Sequence, residues 1–554
     1  MVNSELSSLV GKLPAPAGKD SSQDASEVAL QSRFERVLQE LWQLATPAGG
    51  SEESAWAERL QGEARFVAAL VDAGIGGIDP VLLDRALEQL RRGLESGERW
   101  SRVVPAVEST LLPAVGPAAQ AFVIHCAGHA HIDMNWLWDW PETVRVGRDT
   151  FRTMDRLMAE YPDFRFSQSQ ASVYVAMQEH YPEIFARILE RQRQGQWEVA
   201  ASTWVENDEN LASGESAARQ LLYAKRYFSR VLGLRPADVP LVWQPDTFGH
   251  PFTLPGILQQ AGIRYYYYCR GGHLGPRLRL FWWEGADGSR LMAFHDNDLW
   301  YNGPVRPVDA ALAAVQLARQ TGITDYLFVY GVGDHGGGPT RRDLATIRRV
   351  QEWPLFPRVR FSTVKAFFER VDAVLTGREE APATRVSGLT APELPVYRGE
   401  LNAVFPGCYT SQARIKQVNR DSETLLTRAE TWQAVTGDGE TAPGLLEEAW
   451  RKHLFNQFHD ILPGSGVPAT YQYALGLGQQ VRAAAEAVED RALQHLFRRR
   501  LAYFPTPVAR AVAMLKPQVV RPSGQGQPGL RPDLDQDWVR PVAAANPLPW
   551  RRSD

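Results

Sequence analysis

Gly128-His129-Ala130-His131-Ile132-Asp133-Met134-Asn135-Trp136 follows a short apolar run that reads as a buried strand. An imidazole and a carboxylate two residues apart, in a loop leaving a strand, can face one ion. Donors of that kind suit Zn²⁺ or a neighbouring divalent metal. Taken alone, the string fits a polar loop as well as a metal site. A second segment, Trp243-Gln244-Pro245-Asp246-Thr247-Phe248-Gly249-His250, puts a carboxylate at another strand end. A third carries His459-Asp460 at the end of a helix, just before the Pro463-Gly464 turn. The glycine-rich Gly331–Pro339 loop, with Asp334 and His335, lets backbone come close to a ligand. No Lys-Ser/Thr follows it, which argues against a nucleotide cradle.

The elements that must carry these loops change in texture along the chain. Residues 1–27 are rich in Ser, Ala, Pro and Gly and read as a disordered tail. Residues 28–116 read as a helical region, with apolar residues at helical spacing over Val28–Leu44, Glu53–Ala73 and Pro80–Ser96. Residues 117–385 alternate strands with helices. The expected strands are Phe122–Cys126, Phe164–Gln168, Trp197–Ser202, Val239–Trp243, Arg264–Cys269, Arg290–His295, Tyr326–Tyr330 and Arg358–Ser362. Helices are expected over Glu142–Glu160, Val173–Arg193, Gly214–Leu232, Val308–Thr321 and Arg341–Gln351. This alternation predicts a largely parallel sheet, and seven or eight such units suggest a barrel with its chemistry at the C-terminal strand ends. Residues 386–500 open on a Pro/Gly-rich link (Ser387–Gly399) and then predict three helices, Thr410–Thr436, Leu446–Phe458 and Ala469–Arg499, as a bundle. Residues 501–554 read as an irregular tail.

Composition bounds the function. The 554 residues are 44% hydrophobic and 22% charged, values of a globular protein with a large core. A net charge of −4 gives no reason to expect nucleic acid or an anionic membrane as partner. Three Cys form no disulfide framework, and Met1–Ser26 has no apolar core of a signal peptide, so a cytoplasmic location is expected. Seventeen Trp and seventeen Tyr supply flat faces that suit sugars, although most belong in a core.

In order, HAHIDMNWLW, WQPDTFGH, YGVGDHGGGPT, YRGELNAVFPGCYTSQ and FNQFHDILPGSG resemble the α-mannosidases of glycoside hydrolase family 38, most closely the cytosolic and bacterial branch. The resemblance spans roughly Ala121–Ala485. It implies an α/β fold, a (β/α)7-type barrel followed by a three-helix bundle. It also implies a retaining, zinc-dependent hydrolase of terminal α-linked mannose, acting through a glycosyl-enzyme intermediate. The implied metal ligands are His131, Asp133, Asp246 and His459, with Zn²⁺ expected and Co²⁺ open. Asp246 is also the implied nucleophile. The acid/base is assigned to Asp298, ahead of Asp296 and Asp334. Trp136 is the implied sugar platform, and Asp208, Asp334 and Asp460 the implied substrate carboxylates. His129 is expected to orient its neighbour and His453 to pack. The expected partner is an α-mannoside oligosaccharide; a homo-oligomer is left open. The C-terminal residues Asn546–Trp550 resemble the first strand of the family's β-rich second half, a β-sandwich that is expected to be missing from this chain. Two other readings stand beside this one: a zinc-dependent carbohydrate deacetylase, and a truncated, inactive mannoside-binding protein.

Overall fold

The protein is described by a computed structural model covering residues 52–271, 278–296, 298–402, 405–437 and 444–501. The expected tail 1–27, the helix Val28–Leu44 and all but the first residue of the tail 501–554 lie outside the described residues. Among the described residues three helices come first, Glu52–Asp72, Pro80–Glu95 and Trp100–Ala121. The third runs past the expected end near Gly116 and contains Pro105, Pro113 and Pro117. All three prolines face solvent, where water can take the carbonyls that lose their partners, while Val103, Val107, Leu111 and Val115 are buried.

The strands are β1 (Val123–His129), β2 (Phe166–Gln168), β3 (Trp197–Val199), β4 (Leu241–Gln244), β5 (Tyr265–Tyr268), β6 (Leu280–Glu284), β7 (Arg290–His295), β8 (Asp325–Tyr330), β9 (Arg358–Phe361) and β10 (Val396–Arg398). Among the described residues they hydrogen-bond as two five-stranded sheets. In one, β1 pairs with β8 along one edge and with β9 and then β2 along the other, and β3 follows β2, all parallel. The second runs β10-β6-β7-β5-β4, parallel except for the β6–β7 hairpin. The Ser202 N–H donates to the Leu241 carbonyl at 3.0 Å, linking the segment after β3 to β4 in the other sheet. The architecture is thus mixed α/β and largely parallel.

Three expectations need correction. The helix expected over Val173–Arg193 is two, Ala171–His180 and Pro182–Arg193, because Pro182 cannot donate to the preceding turn and starts a new helix. Strand β6 and its turn were missed, although Asp287-Gly288 between β-type runs is a hairpin signal: Asp287 accepts the Ser289 N–H, and Gly288 takes φ 85°. Strand β10 lies inside the expected link.

Both faces of β1, β2, β4, β5 and β8 are buried, whereas β9 and β10 keep exposed residues. The four tyrosines of β5 divide accordingly. Tyr267 stacks between Trp243 of β4 and Phe294 of β7, while Tyr266 and Tyr268 face Val242, Phe281 and Trp283 on the other side. After β10, helices Ala413–Thr436, Leu445–Phe455 and Pro468–Leu501 pack on one another, and the second also packs on helix Gly214–Leu232. That contact carries the segment after Phe455 to the strand ends. His453 serves it as a packing residue, buried against Ser216 and Gln457.

Candidate active site

Because the strands are parallel, the loops leaving β1, β3, β4, β5 and β8 open on one side. His131 and Asp133 follow β1, Asp246 follows β4, and His459 arrives from the helical segment. One ligand atom from each lies within 4.8 Å of every other, and all four residues are buried. His131 Nε2 is 3.0 Å from Asp133 Oδ1 and 4.0 Å from Asp246 Oδ2; His459 Nε2 is 3.4 Å and 3.5 Å from the same two oxygens. Four donors at zinc-ligand distances on a tetrahedron stand about 3.3 Å apart, and these separations bracket that figure. The His131 and His459 rings stack at 5.4 Å.

The donor set also passes a test of unmet demand. Nε2 of His131, Nε2 of His459 and Oδ1 of Asp133 are buried with no hydrogen-bond partner, which is costly unless something else takes their lone pairs. Nδ1–H of His459 donates to the Glu206 carbonyl at 2.8 Å, fixing the tautomer that leaves Nε2 free. Glu206 Oε2 stands 3.2 Å from His131 Nδ1, an ionic contact without hydrogen-bond alignment. His129 sits behind the set with Nδ1 on the Ser167 carbonyl and its ring against Trp243.

The charges are tightly interdependent. Burial pulls His131 down, but Glu206 and Asp133 outweigh it and hold the imidazole well above its ordinary value. His459 is likewise raised, with Asp133 and Asp246 overcoming burial. Burial pushes Asp246 up, yet His459, His131 and Arg270 hold it well below the usual carboxylate range. Burial, reinforced by Asp133, pushes Asp460 up to about 8.

The other expected site residues fall into two groups. Trp136 is half-buried, edge-on to Trp138, its carbonyl accepting the Val467 N–H. Asp460 Oδ2 lies 3.8 Å from His459 Nε2, and its Oδ1 accepts from Ser465. Asp334 adopts a left-handed φ of 67°, accepts the Asp133 N–H on its carbonyl at 2.9 Å, and holds Asn302 through Oδ1. Burial pushes its carboxyl up, opposed by His131 and reinforced by Asp133 and Asp246. The second group is engaged elsewhere. Asp298 pairs with Arg279 at 2.5 Å and is partly exposed, and Asp296 is buried on Arg279 and the Tyr326 hydroxyl. Asp208 accepts the Asn210 and Leu211 N–H groups and so holds its own turn.

Three residues of the site were not read from sequence: Glu206, Tyr301 and Arg270. Arg270 pairs with Asp246 Oδ1, its guanidinium 4.9 Å from the Trp300 ring centre and 5.3 Å from that of Phe405. Tyr301 is buried with its ring 5.0 Å from His131. Arg270 follows β5 at the same strand ends as the motifs, which was its one available signal. The Gly331–Gly338 loop approaches the protein's own backbone: a Cβ on Gly331 would fall 2.0 Å from the His129 carbonyl, and one on Gly333 2.9 Å from His131 Cβ.

A buried pair of imidazoles and a pair of carboxylates at the ends of parallel strands defines a metal-capable α/β site. The profile of the glycosyl hydrolases family 38 N-terminal domain matches residues 121–400 and that of the alpha mannosidase middle domain residues 403–496. The chain belongs to glycoside hydrolase family 38. It is 31% identical to alpha-mannosidase G of Dictyostelium discoideum over 380 residues, 67% of this chain and 33% of that protein. It is 33% identical to alpha-mannosidase 2C1 of Mus musculus over 373 residues, 65% of this chain and 34% of that protein. The chain thus spans about a third of the length of these relatives. An alpha-mannosidase structure from Enterococcus faecalis V583 shares the fold with a TM-score of 0.57 at 20% identity, covering 68% of this chain and 43% of that one. No helix among the described residues is long and apolar enough to cross a membrane.

Proposed function

We propose that the chain is a retaining, divalent-metal-dependent α-mannosidase. The observation that carries this reading is the convergence of His131, Asp133, Asp246 and His459 around one point, with Nε2 of both histidines and Oδ1 of Asp133 unmet. A bound Zn²⁺, or Co²⁺, would polarise the sugar hydroxyls and help hold the ring distorted, while carboxylate charge offsets the positive character that develops at the ring. Asp246 is ionised at working pH and serves as the nucleophile that forms the glycosyl-enzyme intermediate. Arg270 orients its Oδ1.

For the acid/base the geometry favours Asp334 over Asp298. Asp334 shares the surroundings of Asp246 and Asp133, and its raised pKa suits a carboxyl that must donate a proton. Asp298 is tied to Arg279. A half-buried Trp136 offers a face to the sugar, and Asp460 offers acceptors for its hydroxyls. We assign the substrate as a terminal α-linked mannose of an oligosaccharide. The two sheets, joined at Ser202–Leu241, support reading residues 117–385 as one (β/α)7-type barrel domain and 386–500 as a three-helix domain. The three free cysteines support a cytoplasmic location.

The decisive experiment is hydrolysis of an aryl α-mannoside by the wild type and Asp246→Ala, with and without a chelator. Chelation and the substitution should each abolish turnover, with loss of metal stoichiometry on chelation. An active wild type indifferent to either would overturn the reading.

A further inference from the structure

His250, the last residue of the Trp243–His250 motif, has no part in the chemistry above, yet it is fully buried with both ring nitrogens engaged. Its Nε2 lies 3.0 Å from the Arg270 carbonyl. Its Nδ1 lies 2.7 Å from Glu209 Oε2 and 2.7 Å from the Tyr266 hydroxyl, which is itself 2.6 Å from that Glu209 oxygen. Its main chain is pinned by two bonds to Leu401.

Counting protons shows what this unit does. A carbonyl only accepts, so Nε2 must carry hydrogen. A neutral ring would then turn its Nδ1 lone pair on an ionised Glu209 at 2.7 Å. The contacts are satisfied by an imidazolium against a carboxylate, or by a protonated Glu209 donating to Nδ1. In both, Nε2–H stays aimed at Arg270.

The Arg270 backbone is thereby held from two sides. Its N–H donates to the Pro245 carbonyl, one residue before Asp246, and its carbonyl accepts from His250, four residues after. The next residue leaves no slack, since a Cβ on Gly271 would fall 2.5 Å from the Leu401 carbonyl. Beyond this clamp the guanidinium lies among Trp300, Phe405 and Phe248 and pairs with Asp246.

We propose that His250, backed by Glu209 and Tyr266, is a positioning residue that fixes the Arg270 backbone and so presents its guanidinium to Asp246. The proposal rests on the reading of Asp246 as nucleophile. Misplacement of a reacting group by about 1 Å can cost on the order of a hundredfold in rate, so the effect belongs in kcat.

The test uses the full chain loaded with zinc, an aryl α-mannoside, and amide exchange of the peptide spanning Arg264–Gly271. His250→Phe should lower kcat roughly tenfold to a hundredfold with KM within about threefold. His250→Gln, which keeps a donor near the Nε2 position, should restore most of the loss. In a double-mutant cycle, His250→Phe should cost less than about twofold on an Arg270→Lys background, because both act through one contact. Exchange over Arg264–Gly271 should accelerate in His250→Phe. Should that variant fail to fold, Tyr266→Phe removes a single hydroxyl and should lower kcat by roughly threefold or more. A kcat within about twofold of wild type in every folded variant, or losses that multiply in the cycle, would overturn the inference. If the wild type cleaves no mannoside, the glycosidase reading fails, and the exchange comparison alone decides whether His250 holds Arg270: faster exchange supports it, unchanged exchange sinks it.

Discussion

The two ends of β1 carry two buried histidine–carboxylate clusters that look alike in composition and differ in completeness. Near its start, His125 places Nδ1 3.0 Å from Ser362 Oγ and Nε2 2.8 Å from Asp325, with Arg360 beside the ring and Arg370 on the same aspartate. Just past its end, His131 faces Asp133 and Glu206 with neither nitrogen satisfied. Burial lowers the His125 pKa despite Asp325, whereas crowded carboxylates raise His131. His125 closes its hydrogen bonds, whereas His131 and His459 leave Nε2 aimed at a common point. The pattern Ser362–His125–Asp325 resembles a nucleophilic triad only in residue type. Arg360 lies against the imidazole, and the amides of Val364 and Lys365 at the nearby helix start are taken by Glu198.

The sharpest way to break this contrast is to remove each histidine in turn. His131→Ala should cut kcat by on the order of a thousandfold or more and lower bound metal measured by elemental analysis, with little loss of melting temperature in the metal-free protein. His125→Ala should keep the metal stoichiometry but cost about 2–4 kcal/mol of stability, by removing the imidazole that Asp325 and Ser362 bond in the interior. If His125→Ala loses metal, or His131→Ala is the less stable apoprotein, completeness of hydrogen bonding does not separate the two roles.

Beside the ligand-facing cluster, Asp334 can be set against Asp298, which pairs away from it with Arg279. Asp334→Asn should lower turnover of a substrate with a poor leaving group by roughly 10²–10³ and spare one with a good leaving group more, with azide restoring rate. Asp298→Asn should stay within about threefold of wild type, as befits a partly exposed pair. The opposite ranking, read from kcat on the two substrates, would return the acid to Asp298.

How legible this was follows from where the information sits. His131 and Asp133 could be read as a metal-capable pair from their types and spacing after a strand, whereas Asp246 and His459 joined them only through the resemblance to family 38. Asp334 against Asp298 could not be decided, since spacing does not say which carboxylate a loop turns inward and which it gives to an arginine such as Arg279. Arg270 and Glu206 were passed over for the same reason: an ion pair and a backing carboxylate depend on contacts between distant segments. The glycines of Gly331–Gly338 were read as room for a ligand and prove to be room for His129 and His131. Helices and strands were legible by period, and the break at Tyr181–Pro182 and the β6–β7 turn had local signals in Pro182 and Asp287-Gly288.

The His125 cluster also makes a pH prediction. His125 and Asp325 are both depressed in the folded protein, chiefly by burial for the first and, against burial, by His125 for the second. A depressed group contributes stability that is present above its unfolded pKa and lost as pH falls. The apoprotein should therefore melt lower on acidification from about pH 7 to pH 5, as the unfolded chain takes up a proton near its ordinary pKa of about 6.5 that buried His125 refuses. His125→Asn should flatten that slope. A slope unchanged by the substitution would assign the acid lability elsewhere.

The smallest predicted effect tests the rule at its weakest point. Glu63 in the helix Glu52–Asp72 is buried with Oε2 unpartnered, yet it faces no second donor set, so an orphaned acceptor alone is not a ligand. Its Oε1 accepts the Leu355 N–H, and its neighbour Glu108 already holds Arg59. Burial, then Glu108, pushes Glu63 up to about 9, so at neutral pH it is protonated and a donor, which removes the apparent orphan. Because the folded pKa is raised, the stability it contributes is complete below the unfolded value of about 4.5 and is lost as pH rises toward about 9. Glu63→Gln mimics the protonated carboxyl and escapes that loss. The melting temperature of the variant relative to wild type should climb by roughly 2–4 °C between about pH 5 and pH 9. A difference that stays flat would mean Glu63 is ionised in the core, and that an unmet carboxylate can persist there without a ligand.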